Sequence, residues 1–226
     1  MSIKSVIAAT GSYLPEKILT NADLEKMVDT SDEWITQRSG IKFRHIAADD
    51  ETTSSLAIKA AQNALKSSNL NPSDIDGVIV ATTTPDQTFP AVAVKVQSAL
   101  SLPVGLAFDV QAVCTGFVYA LATANNFITA GQAKRILVIG AEKMSSIVDW
   151  NDRNTCILFG DGAGAAVLLP SDTSSNIIGS HMRSEGSGLE HLSRQGNLDI
   201  DPKTNLTPPT GPLKMNGRAV FAFAVR

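Results

Sequence analysis

Residues 106–121 read Leu106-Ala-Phe-Asp-Val-Gln-Ala-Val-Cys114-Thr-Gly-Phe-Val-Tyr-Ala-Leu121, and the hydrophobic period of this stretch changes halfway along it. The run 106–110 is apolar and favours a buried β-strand. Beyond Thr115 the apolar residues recur at helical spacing until a glycine ends the pattern: Phe117, Leu121, Ala124, Ile128 and then Gly131. Cys114 is therefore predicted to lie where a buried strand ends and a buried helix begins.

A cysteine in that position is a candidate nucleophile. The unpaired N–H groups at the start of a helix and the positive end of the helix dipole stabilise a thiolate. A thiolate attacks thioester carbonyls, and Gly116 would let a substrate or another backbone segment approach closely. The alternative is that Cys114 is a small apolar residue of the core. The residues of this stretch alone leave both interpretations open.

Strands alternate with helices through residue 170, which predicts an α/β domain with a mostly parallel sheet. The predicted strands cover residues 3–9, 77–81, 106–110, 135–140 and 165–169. The predicted helices cover 22–28, 30–39, 53–67, 91–100 and 115–130, with Asn21 capping the first and a capping box beginning at Thr30 opening the second. After Pro170 we expect a linker at 172–176, a strand at 177–182, a polar surface excursion at 184–211 and a helix at 218–225. Because that helix stops without a cap, we expect the domain to be incomplete.

The composition excludes several classes of function. The chain has 226 residues, of which 43% are hydrophobic and 18% charged, as is usual for a globular enzyme. A net charge of -3 predicts neither nucleic acid nor anionic membrane as a partner. Two cysteines, Cys114 and Cys156, make neither a disulfide framework nor a metal site, and Cys156 is predicted to be a buried structural thiol. The apolar runs are too short for a signal peptide or a membrane span, so we expect a cytoplasmic protein.

Four segments together resemble β-ketoacyl-[acyl-carrier-protein] synthase III, the condensing enzyme that starts type II fatty-acid synthesis. They are residues 109–117 around the cysteine, Phe159-Gly-Asp-Gly-Ala-Gly-Ala165, Asp32-Glu-Trp-Ile-Thr-Gln-Arg38-Ser-Gly-Ile41 and Met215-Asn-Gly-Arg-Ala-Val-Phe221. The resemblance implies a thiolase-like α/β fold with αβαβα layers, and a homodimer. Residues 1–172 would be a complete N-terminal half, and 173–226 the beginning of a truncated C-terminal half.

The resemblance also implies a mechanism. Cys114 would accept an acetyl or another short acyl group from its coenzyme A thioester, and the acyl-cysteine would then condense with malonyl-acyl-carrier-protein. No cofactor and no metal are expected, since coenzyme A enters as substrate. The three histidines, His45, His181 and His191, do not stand in the family's catalytic histidine motif, and its asparagine is also absent. We therefore expect this chain alone to be acylated but not to condense.

Further residues match positions where the family binds its substrates. Thr30, Trp34, Arg38 and Arg153 would hold coenzyme A, with adenine between the tryptophan and an arginine, and Arg218 would approach the pantetheine arm. Phe89 would close the partner's acyl pocket across a dimer interface, and Leu158 and Phe159 would line the acyl tunnel. Each has a simpler alternative, among them a helix cap for Thr30, a core aromatic for Trp34 and a loop anchor for Phe89. The glycines of 160–164 lack the Lys-Ser/Thr of a P-loop, so we interpret them as allowing close packing.

Two rival hypotheses remain from the sequence. One is another thiolase-fold ketoacyl synthase with a different acyl pocket and acceptor. The other is a truncated, non-catalytic fragment that binds coenzyme A or dimerises without turnover.

Overall fold

A computed structural model describes residues 4–173, 177–196 and 211–225. In chain order the strands and helices are β1 (Lys4–Tyr13), β2 (Lys17–Thr20), α1 (Asn21–Leu24), α2 (Asp32–Ser39), β3 (Phe43–Ile46), α3 (Thr53–Ser68), β4 (Gly77–Ala81), α4 (Val92–Ala99), β5 (Leu106–Val110), α5 (Gly116–Thr129), β6 (Ile136–Lys143), α6 (Arg153–Cys156), β7 (Asp161–Ser171), β8 (Leu192–Ser193), β9 (Lys214–Met215) and α7 (Gly217–Ala224). Short 3-10 helices cover Pro72–Asp74, Val113–Thr115, Met144–Ser146 and Gly186–His191.

The chain divides into two compact units. The large unit contains residues 1–17, 45–143 and 161–182, and the small unit contains residues 18–44, 144–160 and 183–226. This division cuts across the predicted halves 1–172 and 173–226, which stay a prediction.

The large unit is built on a five-stranded sheet in the order β1-β7-β6-β4-β5. β4 is parallel to β5 and β6, whereas β7 is antiparallel to both β6 and β1. The prediction of a mostly parallel sheet is therefore wrong for β7. Lys143 pairs with Asp161, so the chain re-enters the sheet beside the point where it left, and no crossover is needed.

Helices cover both faces of this sheet. α3 and α4 pack on one face against Val78 and Val80 of β4, and α5 packs on the other against Ile79 and Ala81. All five residues of β4 are buried, as the apolar run predicts. The buried side of α3 contains the six residues that its periodicity indicates, Leu56, Ala57, Ala60, Ala61, Ala64 and Leu65, together with Thr53 and Ser54 at its start.

Some predicted elements differ from the structure for tertiary reasons. β5 has the predicted bounds, but it is the edge strand and all five of its residues are only partly buried. The glycine segment expected to precede β7 lies mostly within it, since β7 begins at Asp161 and contains Gly162 and Gly164. Residues 177–182 form no strand. The predicted linker lies partly outside the described residues, as does most of the polar excursion after residue 196.

The small unit has its own apolar cluster, in which Leu24, Ile35 and Cys156 are fully buried. The cap of α1 is Thr20 and not Asn21. Ser31, not Thr30, caps α2, and Gly40 ends that helix at a φ of 73° as its position predicts. α7 confirms the predicted last helix. Within the described residues, no helix is both long and apolar enough to cross a lipid bilayer.

Candidate active site

Cys114 lies on the 3-10 turn that joins β5 to α5, and its side chain is exposed. The turn closes on Ala112, whose carbonyl oxygen accepts from the Thr115 N–H at 3.1 Å and from the Thr115 hydroxyl at 2.9 Å. α5 begins at Gly116, two residues after Cys114. The thiol thus stands between the carboxyl end of a strand and the amino end of a helix, as predicted, and it is accessible to substrate. It is not a core residue.

The backbone at this turn is strained. Val113, the residue before the thiol, has a φ of 47°, which is a costly conformation for a β-branched side chain. Gly116 also avoids a tight contact, since a Cβ there would lie 3.2 Å from the Cβ of Ala81. A glycine at this position therefore allows α5 to start close against β4, which is the role expected of it.

A partly buried carboxylate stabilises the loop beside the thiol turn. Glu142, at the end of β6, accepts from the Thr83 N–H at 2.8 Å and from the hydroxyl of Thr84. A longer contact of 3.4 Å joins it to the Thr82 hydroxyl. Burial raises the pKa of Glu142, and the hydrogen bonds from the threonines offset part of the rise.

This loop in turn contacts the segment that leads to Cys114. The Thr82 N–H donates to the carbonyl of Val110, the last residue of β5, at 3.2 Å. The Gln111 amide makes a long contact of 3.5 Å with the Thr83 hydroxyl. Sequence analysis missed Glu142, although a lone glutamate at the end of an apolar strand could have indicated a buried polar group.

Phe89 lies in the loop before α4 and is 80% exposed. The start of α4, just after this loop, is held from β5, because the Asp109 carboxylate accepts from the main-chain N–H groups of Val92 and Ala93 at 2.7 and 2.8 Å. These are two of the unpaired groups at the start of α4, which has no cap of its own. An exposed ring on a fixed loop is not an anchor for the loop itself.

In the small unit, the structure brings together three of the predicted coenzyme A residues. The guanidinium of Arg38 lies 4.1 Å from the ring centroid of Trp34, and that of Arg153 lies 5.0 Å from it. Both distances are typical of cation–π contacts. Arg153 also donates to the Asp29 carbonyl at 2.7 Å. We call Trp34, Arg38 and Arg153 the aromatic–arginine cluster.

The remaining predicted residues of the small unit have different environments. The Thr30 hydroxyl is buried and has no hydrogen-bond partner among the described residues, so its predicted capping role is wrong. Arg218 is exposed on the first turn of α7. Leu158 and Phe159 are partly buried against the apolar cluster of this unit. An unpaired buried hydroxyl is a group that a ligand could satisfy.

The histidines and acidic residues form no further centre in the described part of the chain. His45 Nδ1 lies 2.6 Å from the carbonyl of Pro15, which agrees with a structural role. Among the described residues, no three His, Cys, Asp or Glu side chains are grouped so that they could hold a metal ion.

Comparisons with known proteins agree with the resemblance. Residues 108–186 match the model of the 3-oxoacyl-[acyl-carrier-protein] synthase III family. A curated β-ketoacyl-[acyl-carrier-protein] synthase III from Rhizobium johnstonii is 53% identical over 228 residues, which are 99% of this chain and 69% of the relative.

Two solved structures of 3-oxoacyl-[acyl-carrier-protein] synthase III extend the match to the fold. The protein from Aquifex aeolicus is 48% identical with a TM-score of 0.85, over 97% of this chain and 67% of that one. The protein from Thermus thermophilus is 44% identical with a TM-score of 0.89, over 98% and 68%. These matches confirm the predicted thiolase-like α/β fold. The chain spans about two thirds of the length of these relatives.

Proposed function

This chain belongs to the β-ketoacyl-[acyl-carrier-protein] synthase III family, whose members condense an acyl-CoA with malonyl-acyl-carrier-protein, and we propose that Cys114 is its acyl acceptor. The primer is acetyl-CoA or another short acyl-CoA, and the product begins fatty-acid synthesis in the cytoplasm. Enzymes of this family need no cofactor. The observation that carries the proposal is the exposed thiol on the turn between β5 and α5.

The first step exchanges one thioester for another. The sulfur of Cys114 attacks the carbonyl carbon of the acyl-CoA, and the tetrahedral intermediate collapses by breaking the bond to the coenzyme A sulfur. The acyl group is then on Cys114, and the proton lost by its thiol leaves with free coenzyme A. Negative charge develops on the carbonyl oxygen, next to the start of α5, where main-chain N–H groups stabilise an anion.

Coenzyme A is bound, in our proposal, by the aromatic–arginine cluster. Adenine is flat and stacks on an indole or a guanidinium, while the phosphates attract arginine. The cluster is partly exposed and holds two cations beside one ring. Thr30 adds a hydroxyl without a hydrogen-bond partner in the described part of the chain, and Arg218 is assigned to the pantetheine arm.

The acyl pocket is assigned to Phe89, Leu158 and Phe159, with Phe89 contributed by the second subunit of a homodimer. Two features of the large unit support a second copy. β5 is an unprotected edge strand, and Phe89, Val104 and Val118 are exposed apolar side chains of this unit. Light scattering at micromolar concentration tests the dimer, because a monomer would contradict it.

The deciding experiment is the intact mass of the protein before and after incubation with acetyl-CoA. A gain of about 42 Da, one acetyl group, is expected for the parent chain and for Cys156→Ala. Cys114→Ala should show no gain. Equal labelling of Cys114→Ala and the parent would refute the assignment.

Adding malonyl-acyl-carrier-protein to the acetylated protein separates the rival hypotheses. Release of acetoacetyl-acyl-carrier-protein and carbon dioxide, with loss of the acetyl mass, is expected of a condensing enzyme. Condensation with malonyl-CoA in its place would favour a different thiolase-fold synthase. An acetyl group that persists with both acceptors would favour a fragment that binds and accepts acyl groups without turnover.

A further inference from the structure

Arg44, in the middle of β3, is a buried cation that neither the sequence analysis nor the proposed chemistry accounts for. Only 4% of the surface of Arg44 is exposed to solvent. Its Nε donates to the carbonyl of Ile157 at 3.0 Å and its Nη2 donates to the same oxygen, while its Nη1 donates to Asn21 Oδ1 at 2.5 Å. Within the described residues it makes no ion pair. Burying a cation without a carboxylate beside it is unfavourable. We therefore ask which elements the hydrogen bonds of Arg44 connect.

On one side, Asn21 connects Arg44 to α2. The Asn21 amide donates to Asp32 Oδ1 at 2.7 Å and to the Ile41 carbonyl at 2.9 Å. This hydrogen bond from Asn21 lowers the pKa of Asp32. Asp32 is the first residue of α2, which carries Trp34 and Arg38.

On the other side, Arg44 is hydrogen-bonded to Ile157, the residue that follows α6. The two N–H groups converge on the carbonyl of Ile157, and Arg153 is the first residue of that helix. Ile157 also packs in the same apolar cluster as Ile35 and Trp34. A guanidinium group has several N–H donors in one plane, so it can hold two acceptors in different directions at the same time. An ammonium group lacks this fixed geometry.

We propose that Arg44 is a positioning residue that joins α2 to α6 and thereby sets the spacing between Trp34 and Arg153. This inference rests on the proposed role of the aromatic–arginine cluster in binding coenzyme A. Arg44 is 4% exposed, so in this proposal it acts through its hydrogen bonds to Asn21 and Ile157 and not by contact with the nucleotide. A change at Arg44 should therefore alter nucleotide affinity and leave the thiol chemistry unchanged.

The test compares two acyl donors. Arg44→Gln should raise the Kd for coenzyme A, measured by calorimetry, about tenfold, the effect typical of removing a residue that orients a binding group. The KM for acetyl-CoA should rise in parallel. Acetylation of Cys114 by S-acetyl-N-acetylcysteamine, a thioester without a nucleotide, should stay within about twofold of the parent. Arg44→Lys keeps the charge without the fork and should also weaken binding.

Arg135→Gln is the matched control, since Arg135 is an exposed arginine of the large unit with one hydrogen bond to the Asp74 carbonyl. Arg135→Gln should leave acetylation of Cys114 by both acyl donors unchanged. In a Trp150→Phe background, Trp34 is the one remaining tryptophan of the two, so its emission reports on the cluster. Arg44→Gln should shift that emission to longer wavelength as the ring loosens. An equal fall in acetylation with both donors would overturn the proposal and indicate a general structural role.

If Arg44→Gln does not fold, Asp32→Ala tests the same proposal, that buried hydrogen bonds position the aromatic–arginine cluster. The Asp32 side chain is 55% exposed, so its removal should be tolerated while the chain of hydrogen bonds is broken. Its Kd for coenzyme A should rise about threefold. Trp34→Ala and Arg153→Ala test the premise separately. If both retain full affinity, the coenzyme A assignment itself fails; if both lose affinity while Arg44→Gln and Asp32→Ala do not, only the present inference fails.

Discussion

The thiol turn and the aromatic–arginine cluster are held in place by different means. At the thiol turn most of the positioning comes from the main chain, because β5 ends in register with β4 and a strained residue turns the chain, while the side chain of Glu142 holds the neighbouring loop. In the cluster, two exposed arginine side chains on α2 and α6 lie over a partly buried tryptophan, and in our proposal their position depends on buried side-chain hydrogen bonds. Bond formation tolerates little displacement, which favours a backbone site, whereas stacking tolerates adjustment of side chains.

The largest effect is expected in the cluster. Trp34→Ala should weaken coenzyme A binding about tenfold or more, because stacking a base on an aromatic ring is worth about 1–3 kcal/mol. Calorimetry with coenzyme A measures this. Trp34→Phe should retain most of the affinity and Trp150→Phe nearly all. Unaltered affinity in the alanine variant would mean that the cluster is not the nucleotide site.

At the thiol turn, Glu142→Gln should slow acetylation of Cys114 by either donor about tenfold, since a misplaced nucleophile loses orientation. The amide can no longer accept at both oxygens, so unfolding should also require about 1–2 kcal/mol less free energy. Stopped-flow acetylation and urea unfolding provide the two readouts. Glu51→Gln is the control, because Glu51 also accepts several hydrogen bonds, from Tyr13, Lys59 and Ala48, yet none from the loop 82–84.

The stability of Glu142→Gln relative to the parent should depend on pH in a defined direction. Because the pKa of Glu142 is raised in the folded state, the folded protein binds its proton more tightly than the unfolded chain does. The stability that this adds is complete below the unfolded value of about 4.5 and is lost as the pH rises through the folded pKa. The stability difference between parent and Glu142→Gln should therefore shrink with rising pH. A difference that grows would contradict the direction of the shift.

A smaller effect tests the strain before the thiol. Val113→Gly should raise the free energy of unfolding by about 0.5–1 kcal/mol, because glycine adopts a positive φ without a steric penalty. Acetylation should become slower, since the freed turn holds the thiol less firmly. Val104→Gly, at an exposed position without a positive φ, should lower stability instead. Loss of stability in Val113→Gly would show that the strain is not costly.

The smallest effect concerns Thr30. Thr30→Val keeps the side-chain shape and removes a buried hydroxyl that has no partner among the residues the structure describes, so it should stabilise the protein by about 0.5 kcal/mol. If that hydroxyl contacts coenzyme A, the Kd should rise about threefold, as expected for one lost hydrogen bond. Thr88→Val, at an exposed site, is the control. Stabilisation with unchanged affinity would remove Thr30 from the binding site.

Local pattern determined much of this protein. The bounds of β5, the buried stripe of α3, the glycine end of α2 and the position of Cys114 between strand and helix all followed from hydrophobic period and turn chemistry. These features depend on residues a few positions apart. Trp34, Arg38 and Arg153 were grouped through the resemblance to a family, since no local pattern relates positions so distant.

The tertiary structure alone decided the rest. Whether β5 is central or an edge depends on strand order, and the direction of β7 depends on where the chain returns to the sheet. Arg44 and Ile157 are 113 residues apart, and Thr84 and Glu142 are 58 apart. Neither pair leaves a periodic signal, because a buried hydrogen bond between distant segments constrains only the two groups that form it.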